Sequence, residues 1–336
     1  MIRETTDAPL LRRNSFHVDE TAARLIEFDS ADDLDAVFGR GRPEVWYALG
    51  GGNNILFTRR FEGTLIKPAA AGIEAIGEDA DSVTIRAAAA TEWDDMVAWC
   101  VDHGLWGAEN LSLIPGTVGA APVQNIGAYG AEAADIIHRV EVYDTHRREH
   151  ITLGKADCRF AYRDSIFKHE FRSRTVITSV EMRLGKRPAP NLAYGDLLSH
   201  VEARGGASLR NIRDAVCAIR RGKLPDTDIL GNAGSFFKNP IVDRATGERL
   251  RSEDSSCPLY PAADPAKCKL AAGWLIDRAG LKGYRSGRVG VHERQALVLV
   301  NFGGATGGEV MALARHVQNV VHDRFGVEIE PEVNIL

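Results

Sequence analysis

Two short stretches of this 336-residue chain bring together side chains able to do chemistry. Residues 159–168, RFAYRDSIFK, set aromatic, basic and acidic groups beside a hydroxyl, with Tyr162 and Arg163 adjacent. Residues 231–240, GNAGSFFKNP, place Ser235 after a glycine and between amides and a lysine, where its hydroxyl could face a ligand. Taken singly, the first stretch also fits a surface strand and turn, and the second an ST-turn. Ser235 lies in no GxSxG elbow, which disfavours a hydrolase nucleophile of the α/β-hydrolase kind.

Glycine supplies a second kind of chemistry. A phosphate-bearing ligand needs backbone amides close to its oxygen anions, and side chains larger than glycine obstruct that approach. Gly50-Gly51-Gly52-Asn53-Asn54 and residues 115–129 meet this need, although structural turns would use the same residues. Neither G-x-G-x-x-G nor G-x-x-x-x-G-K-[ST] occurs, which disfavours a Rossmann dehydrogenase or a P-loop enzyme. Between residues 104 and 130, Ile, Val, Leu and Pro separate the glycines, whereas a flexible linker would be polar and Gly/Ser-rich. An ordered loop is expected there.

Strands and helices mixed along the chain must position these stretches, which predicts an α+β or α/β protein. Residues 24–28 read as a strand. Ser30 caps a helix over 32–38, and a strand over 45–49 runs into the triple glycine. A strand over 82–87 follows, and Thr91 with Asp94 forms a capping-box-like start to a helix through Cys100 that ends at Gly104. Further strands are expected at 140–144, 176–184 and 296–301, and further helices at 209–222, 270–279 and 310–325. Arg220, Arg221 and Lys223 crowd the end of the helix over 209–222, where they complement its dipole.

Composition sets the bounds. With 44% apolar and 26% charged residues and a net charge of −5, the chain reads as an ordinary soluble globular protein without nucleic-acid or membrane partners. Cys100, Cys158, Cys217, Cys257 and Cys268 are scattered, with no CxxC pair, so reduced thiols in a cytoplasm are expected and no metal is implied.

Nine segments then occur in order: LGGGNNILF, ENLSLIPGTVGAAPVQNIGAYG, CRFAYRDSIFK, GDLL, KLPD, GNAGSFFKNP, KLAAGWLID, ERQALVLVN and EPEV. Together they resemble the UDP-N-acetylenolpyruvoylglucosamine reductase family, also called UDP-N-acetylmuramate dehydrogenase, over nearly the whole chain. The resemblance implies an α+β fold. A two-part FAD-binding region of the vanillyl-alcohol-oxidase type (residues 1–69 and 70–207) precedes a C-terminal α+β substrate-binding domain (208–336). It also implies a monomer that takes hydride from NADPH onto non-covalent FAD and passes it to UDP-N-acetylglucosamine enolpyruvate in cytoplasmic peptidoglycan synthesis.

The same resemblance implies residue roles. Gly50, Gly51, Gly52, Asn53, Asn54, Pro115, Gly116, Gly119, Asn125, Gly127 and Tyr129 would cradle FAD. Arg163 would hold the substrate carboxylate, Ser235 would give a proton to the intermediate carbon, and Glu332 would donate a hydrogen bond or orient the arginine. Tyr162, Tyr194, Lys223, Asn239 and Gln295 would surround the substrate, with Tyr260 on a tyrosine loop that marks the longer subtype. Two alternatives differ in their signatures. An FAD oxidase would not account for GNAGSFFKNP or EPEV, and a silent UDP-sugar binder would not need Arg163, Ser235 and Glu332 together.

Overall fold

The computed structural model describes residues 1–39 and 41–336. Their contacts divide into two densely packed units: residues 1–8, 22–51 and 62–222 form one, and 9–21, 52–61 and 223–336 form the other. The chain therefore passes from one unit to the other inside the GGGNN stretch, between Gly51 and Gly52.

In the first unit a four-stranded sheet runs in the order Ile2–Pro9, Thr21–Phe28, Phe61–Pro68, Trp46–Ala48. A second, five-stranded antiparallel sheet runs Glu149–Gly154, Ile137–Asp144, Thr175–Gly185, Ser82–Ala88, Ile73–Glu78. The helix Trp93–Asp102 places Trp93, Met96, Val97 and Cys100 on one face at helical spacing, and these share a core with Ile85, Val140, Val180 and Met182. The helix Leu209–Lys223 packs Leu209, Ile212, Val216 and Ile219 against Val101, Trp106, Leu197 and Val201. That helix belongs to the first unit, although the boundary drawn from sequence after residue 207 sets it in the C-terminal part.

The second unit is built around the long helix Gly307–Phe325, whose Val310, Leu313, Val317 and Val321 meet Phe16, Phe236, Phe237 and Leu275. Thr306 and Glu309 form a reciprocal capping box at its start, and Gly326 ends it at φ 68°. The strand Asn334–Ile335 lies parallel to Ile55–Leu56, and two three-stranded sheets complete the unit.

Several elements depart from the sequence reading. The expected helix over 270–279 spans Ala272–Arg278, because residues Lys267–Leu270 form a strand, and the strand expected over 296–301 is confined to Leu299–Asn301. Thr91 and Asp94 form no capping box: the Thr91 hydroxyl bonds both backbone groups of Gly72, and Asp94 turns to Leu113 and Arg213. No helix of the described residues is long and apolar enough to cross a membrane.

All five cysteines are free and buried, and burial pushes the Cys100 and Cys158 thiols up to about 12. Because the thiolate is the reactive form, an aromatic disulfide reagent should find essentially no fast-reacting thiol in the native protein and five after unfolding. Rapid native labelling of even one would contradict this packing.

Candidate active site

Residues 105–132 are ordered by their backbone. Val118 N–H donates to Thr91, Gly119 N–H to Ala89, and Trp93 N–H to Gly116, so the loop lies along the start of the helix Trp93–Asp102. The approach at Gly119 is close enough that a Cβ would stand 2.6 Å from that of Ala89. Gly50 fits in the same way: a Cβ there would come within 2.9 Å of the Thr117 hydroxyl and 3.2 Å of Ala120. Thr117 Oγ1 and Asn110 Oδ1 are buried with no hydrogen-bond partner. Orphaned polar atoms beside glycine-lined backbone fit a ligand rich in oxygen acceptors and ring donors, as FAD is.

Past this loop the backbone turns back sharply. Gly127–Ala128 pairs with Ala131–Glu132, and Tyr129 (φ 49°) and Gly130 (φ 78°) form the two-residue tip. Asn110 donates to the Tyr129 carbonyl at 2.8 Å, and the Tyr129 ring meets the exposed Tyr194 edge to face at 5.9 Å. Burial pushes the Tyr129 hydroxyl's pKa up, opposed by the nearby Arg220 cation. Tyr162 and Arg163 form a second tip between the mutually bonded Ala161 and Asp164. Arg163 is itself left-handed, at φ 55°. Its Nη2 donates to the Gly127 carbonyl at 2.9 Å, and Lys168 Nζ donates to the Arg163 carbonyl at 3.0 Å. Arginine, tyrosine tip and glycine loop are thus one construction.

In the second unit, Ser235 stands in a strip fixed on both sides. Phe236 N–H donates to Leu297, Lys238 N–H to Glu330, and Glu332 N–H to Phe236, while Phe236 and Phe237 anchor the strip in the core. Ser235 and Glu332 are therefore mounted on the same short ladder. Asn54 Nδ2 reaches the Glu332 carbonyl at 3.3 Å, and both N–H donors of Asn334 close on the Asn54 carbonyl.

The remaining expected residues fall into smaller groups. Asn239 Oδ1 accepts from Ala272 N–H, and Gln295 Oε1 lies 3.5 Å from where a Gly273 Cβ would be, so both meet at the start of the helix Ala272–Arg278. Lys223 is exposed at the end of its helix. Pro115 is exposed, and Asn53 and Gly51 are half-buried. Gly52, at φ 74°, packs against the Arg13 carbonyl. Tyr260 lies on the edge strand Leu259–Pro261, opposite Lys269, whose ammonium sits 6.0 Å from its ring. Asn125 is buried, and its amide joins Glu132, Ala161 and Ala134 N–H, so its side chain ties the segment 125–134 to the tip at Ala161. Arg220, read from sequence as a dipole partner, instead donates Nε to the Leu113 carbonyl. A basic residue at a helix end carries no mark in sequence of turning inward.

Fold and site together define a flavin-dependent oxidoreductase with an FAD-binding region and a separate C-terminal domain. Residues 23–152 match the model of an FAD binding domain, and residues 225–336 match that of the UDP-N-acetylenolpyruvoylglucosamine reductase C-terminal domain. The chain is 49% identical to the UDP-N-acetylenolpyruvoylglucosamine reductase of Chromobacterium violaceum, covering 98% of each chain. Against its namesake in Pseudomonas aeruginosa the identity is also 49%, covering 96% of each. The crystal structure of the Thermus caldophilus enzyme matches with a TM-score of 0.70 at 22% identity, over 100% of this chain and 98% of that one. The chain belongs to the UDP-N-acetylenolpyruvoylglucosamine reductase family.

Because a Cβ at residue 119 would stand 2.6 Å from that of Ala89, Gly119→Ala should force the loop off Ala89, destabilise the protein by about 1–3 kcal/mol and lower the flavin-to-protein absorbance ratio. A variant with unchanged melting temperature and full flavin content would show that this close approach is not needed.

Proposed function

We propose that this protein reduces UDP-N-acetylglucosamine enolpyruvate to UDP-N-acetylmuramate at the expense of NADPH, in the cytoplasm. FAD would supply the hydride carrier between the nicotinamide and the methylene carbon of the enolpyruvyl group. Addition at that carbon leaves a carbanion on the neighbouring carbon, delocalised into the carboxylate.

The chain's residues meet that charge. Arg163 offers a permanently charged planar fork for the carboxylate, and its left-handed backbone and Lys168 grip hold the tip that carries it. Ser235 gives its proton to the carbanion, completing addition of two hydrogens across the double bond. Glu332 holds a hydrogen bond or orients the cation beside the developing enediolate. Lys238 is exposed and pairs with Glu330 at 2.6 Å, so a water is the simpler source to reprotonate the serine. Lys223, Tyr194, Asn239, Gln295 and Tyr260 take the nucleotide and its diphosphate.

The observation that carries this reading is the ladder joining residues 236–238 to 330–332, which ties the segment of Ser235 to that of Glu332 on a floor anchored by Phe236 and Phe237. An oxidase using oxygen would have no call for that pair.

Anaerobic half-reactions test it. Ser235→Ala should leave flavin bleaching by NADPH within about twofold of the parent and slow recolouring by the enolpyruvyl substrate by about 10²-fold or more. Equal slowing of both steps would remove Ser235 as proton donor, and a parent flavin that recolours only in air would remove the substrate.

A further inference from the structure

Leu113 holds φ at 58°, a conformation that costs an ordinary L-residue about 1–2 kcal/mol. It directly precedes the glycine loop, and both of its backbone groups are held by charged side chains from different helices. Its N–H donates to Asp94 Oδ1 at 2.5 Å, from the first turn of Trp93–Asp102. Its carbonyl accepts from Arg220 Nε at 3.1 Å, from the last turn of Leu209–Lys223. Arg213, two turns before Arg220 and so on the same helix face, donates from Nη1 and Nη2 to the two oxygens of Asp94, at 2.6 and 2.8 Å.

The Asp94 and Arg213 side chains are only 28% and 16% exposed, so the charge-assisted bonds are weakly screened. Burial acts to raise the Asp94 pKa, yet Arg213 and the Leu113 amide outweigh it and hold the group below the usual carboxylate range. Among the described residues no carboxylate pairs with Arg220, and burial lowers its pKa. Three charged groups thus converge on one strained peptide. A left-handed residue persists only where its surroundings over-determine it, and such residues gather at ligand clamps. Were Leu113 to relax to the right-handed region, the peptide planes after it would rotate, carrying Gly116, Thr117 and Gly119 with them.

We propose that Asp94, braced by Arg213 and acting with Arg220 on the Leu113 carbonyl, is a positioning residue that holds Leu113 left-handed and so keeps the 114–119 loop in its FAD-receiving shape. This rests on the reading of that loop as part of the FAD cradle. The flavin itself is the readout: FAD release from diluted holoenzyme, followed by the rise of flavin fluorescence, gives a dissociation constant without turnover.

Asp94→Ala should weaken FAD by about tenfold or more, and adding Leu113→Gly should recover most of that loss, since glycine adopts positive φ without the clamp. Thr117→Val separates the two layers. If it weakens FAD while Asp94→Ala does not, the clamp is refuted and the cradle stands. If neither changes affinity, the cradle reading fails and takes the clamp with it. A fall in melting temperature with unchanged affinity, or a loss that Leu113→Gly does not restore, makes Asp94 merely structural and overturns the proposal. Should Asp94→Ala not fold, Arg213→Gln is read in the same assay, with a smaller weakening again reversed by Leu113→Gly expected and no weakening overturning it.

Discussion

Left-handed backbone at residues other than glycine is the constraint on which the first unit's part of the site depends. Leu113, Asn125, Tyr129 and Arg163 all have positive φ. Each would relax if left to its own preference, and each is held by polar side chains at its backbone or by its own amide. Asp94 and Arg220 hold Leu113, Asn110 holds the Tyr129 carbonyl, Lys168 holds that of Arg163, and Asn125 holds itself through three bonds. Sharp turns let a loop present amides, a phenol and a guanidinium in sequence with little intervening chain. Side chains that hold such turns are accordingly as much a part of the site as those expected to touch a ligand.

The second unit solves a different problem by different means. Ser235 needs no unusual backbone; what it needs is a fixed floor. The two phenylalanines immediately after it are only 0% and 1% exposed, which fixes the register of the strip to the core. The hydrogen bonds to Leu297, Glu330 and Glu332 then follow as an ordinary antiparallel ladder. A one-residue slip could carry Ser235 into the buried slot of Phe236 and displace the phenylalanines from theirs, so packing energy selects the serine's placement. Proline at 331 sits between the two ladder bonds, at a position where no N–H is required of it.

Much of this was legible in sequence for physical reasons. Helical spacing of apolar residues marked Leu209–Lys223 and most of Gly307–Phe325, and apolar residues among glycines marked the 104–130 loop as ordered. What was not legible depends on long-range pairing. Thr91 and Asp94 have the types and spacing of a helix start, but the hydroxyl bonds Gly72, 19 residues away, and the carboxylate meets Arg213, 119 residues away. Local propensity offers only a weak preference for a capping box, and a partly buried ion pair with an amide on the same carboxylate outweighs it. The inward turn of Arg220 has the same origin, as does the tie made by Asn125, whose amide finds three partners that are adjacent only in the fold.

Asn54 shows why motif and role need not coincide. It ends the triple-glycine stretch that the resemblance assigns to FAD, yet its side-chain amide reaches the Glu332 carbonyl and its own carbonyl takes two donors from Asn334. Gly52, two residues before it, is required by the Arg13 carbonyl, which would stand 2.1 Å from a Cβ. Gly52 and Asn54 therefore serve the second unit, Asn54 fastening the segment from Glu332 to Asn334, while Gly50 serves the first by leaving room beside Thr117. A short glycine-asparagine stretch at the crossing point of the chain satisfies two backbone demands at once, since only small or hydrogen-bonding residues meet either of them.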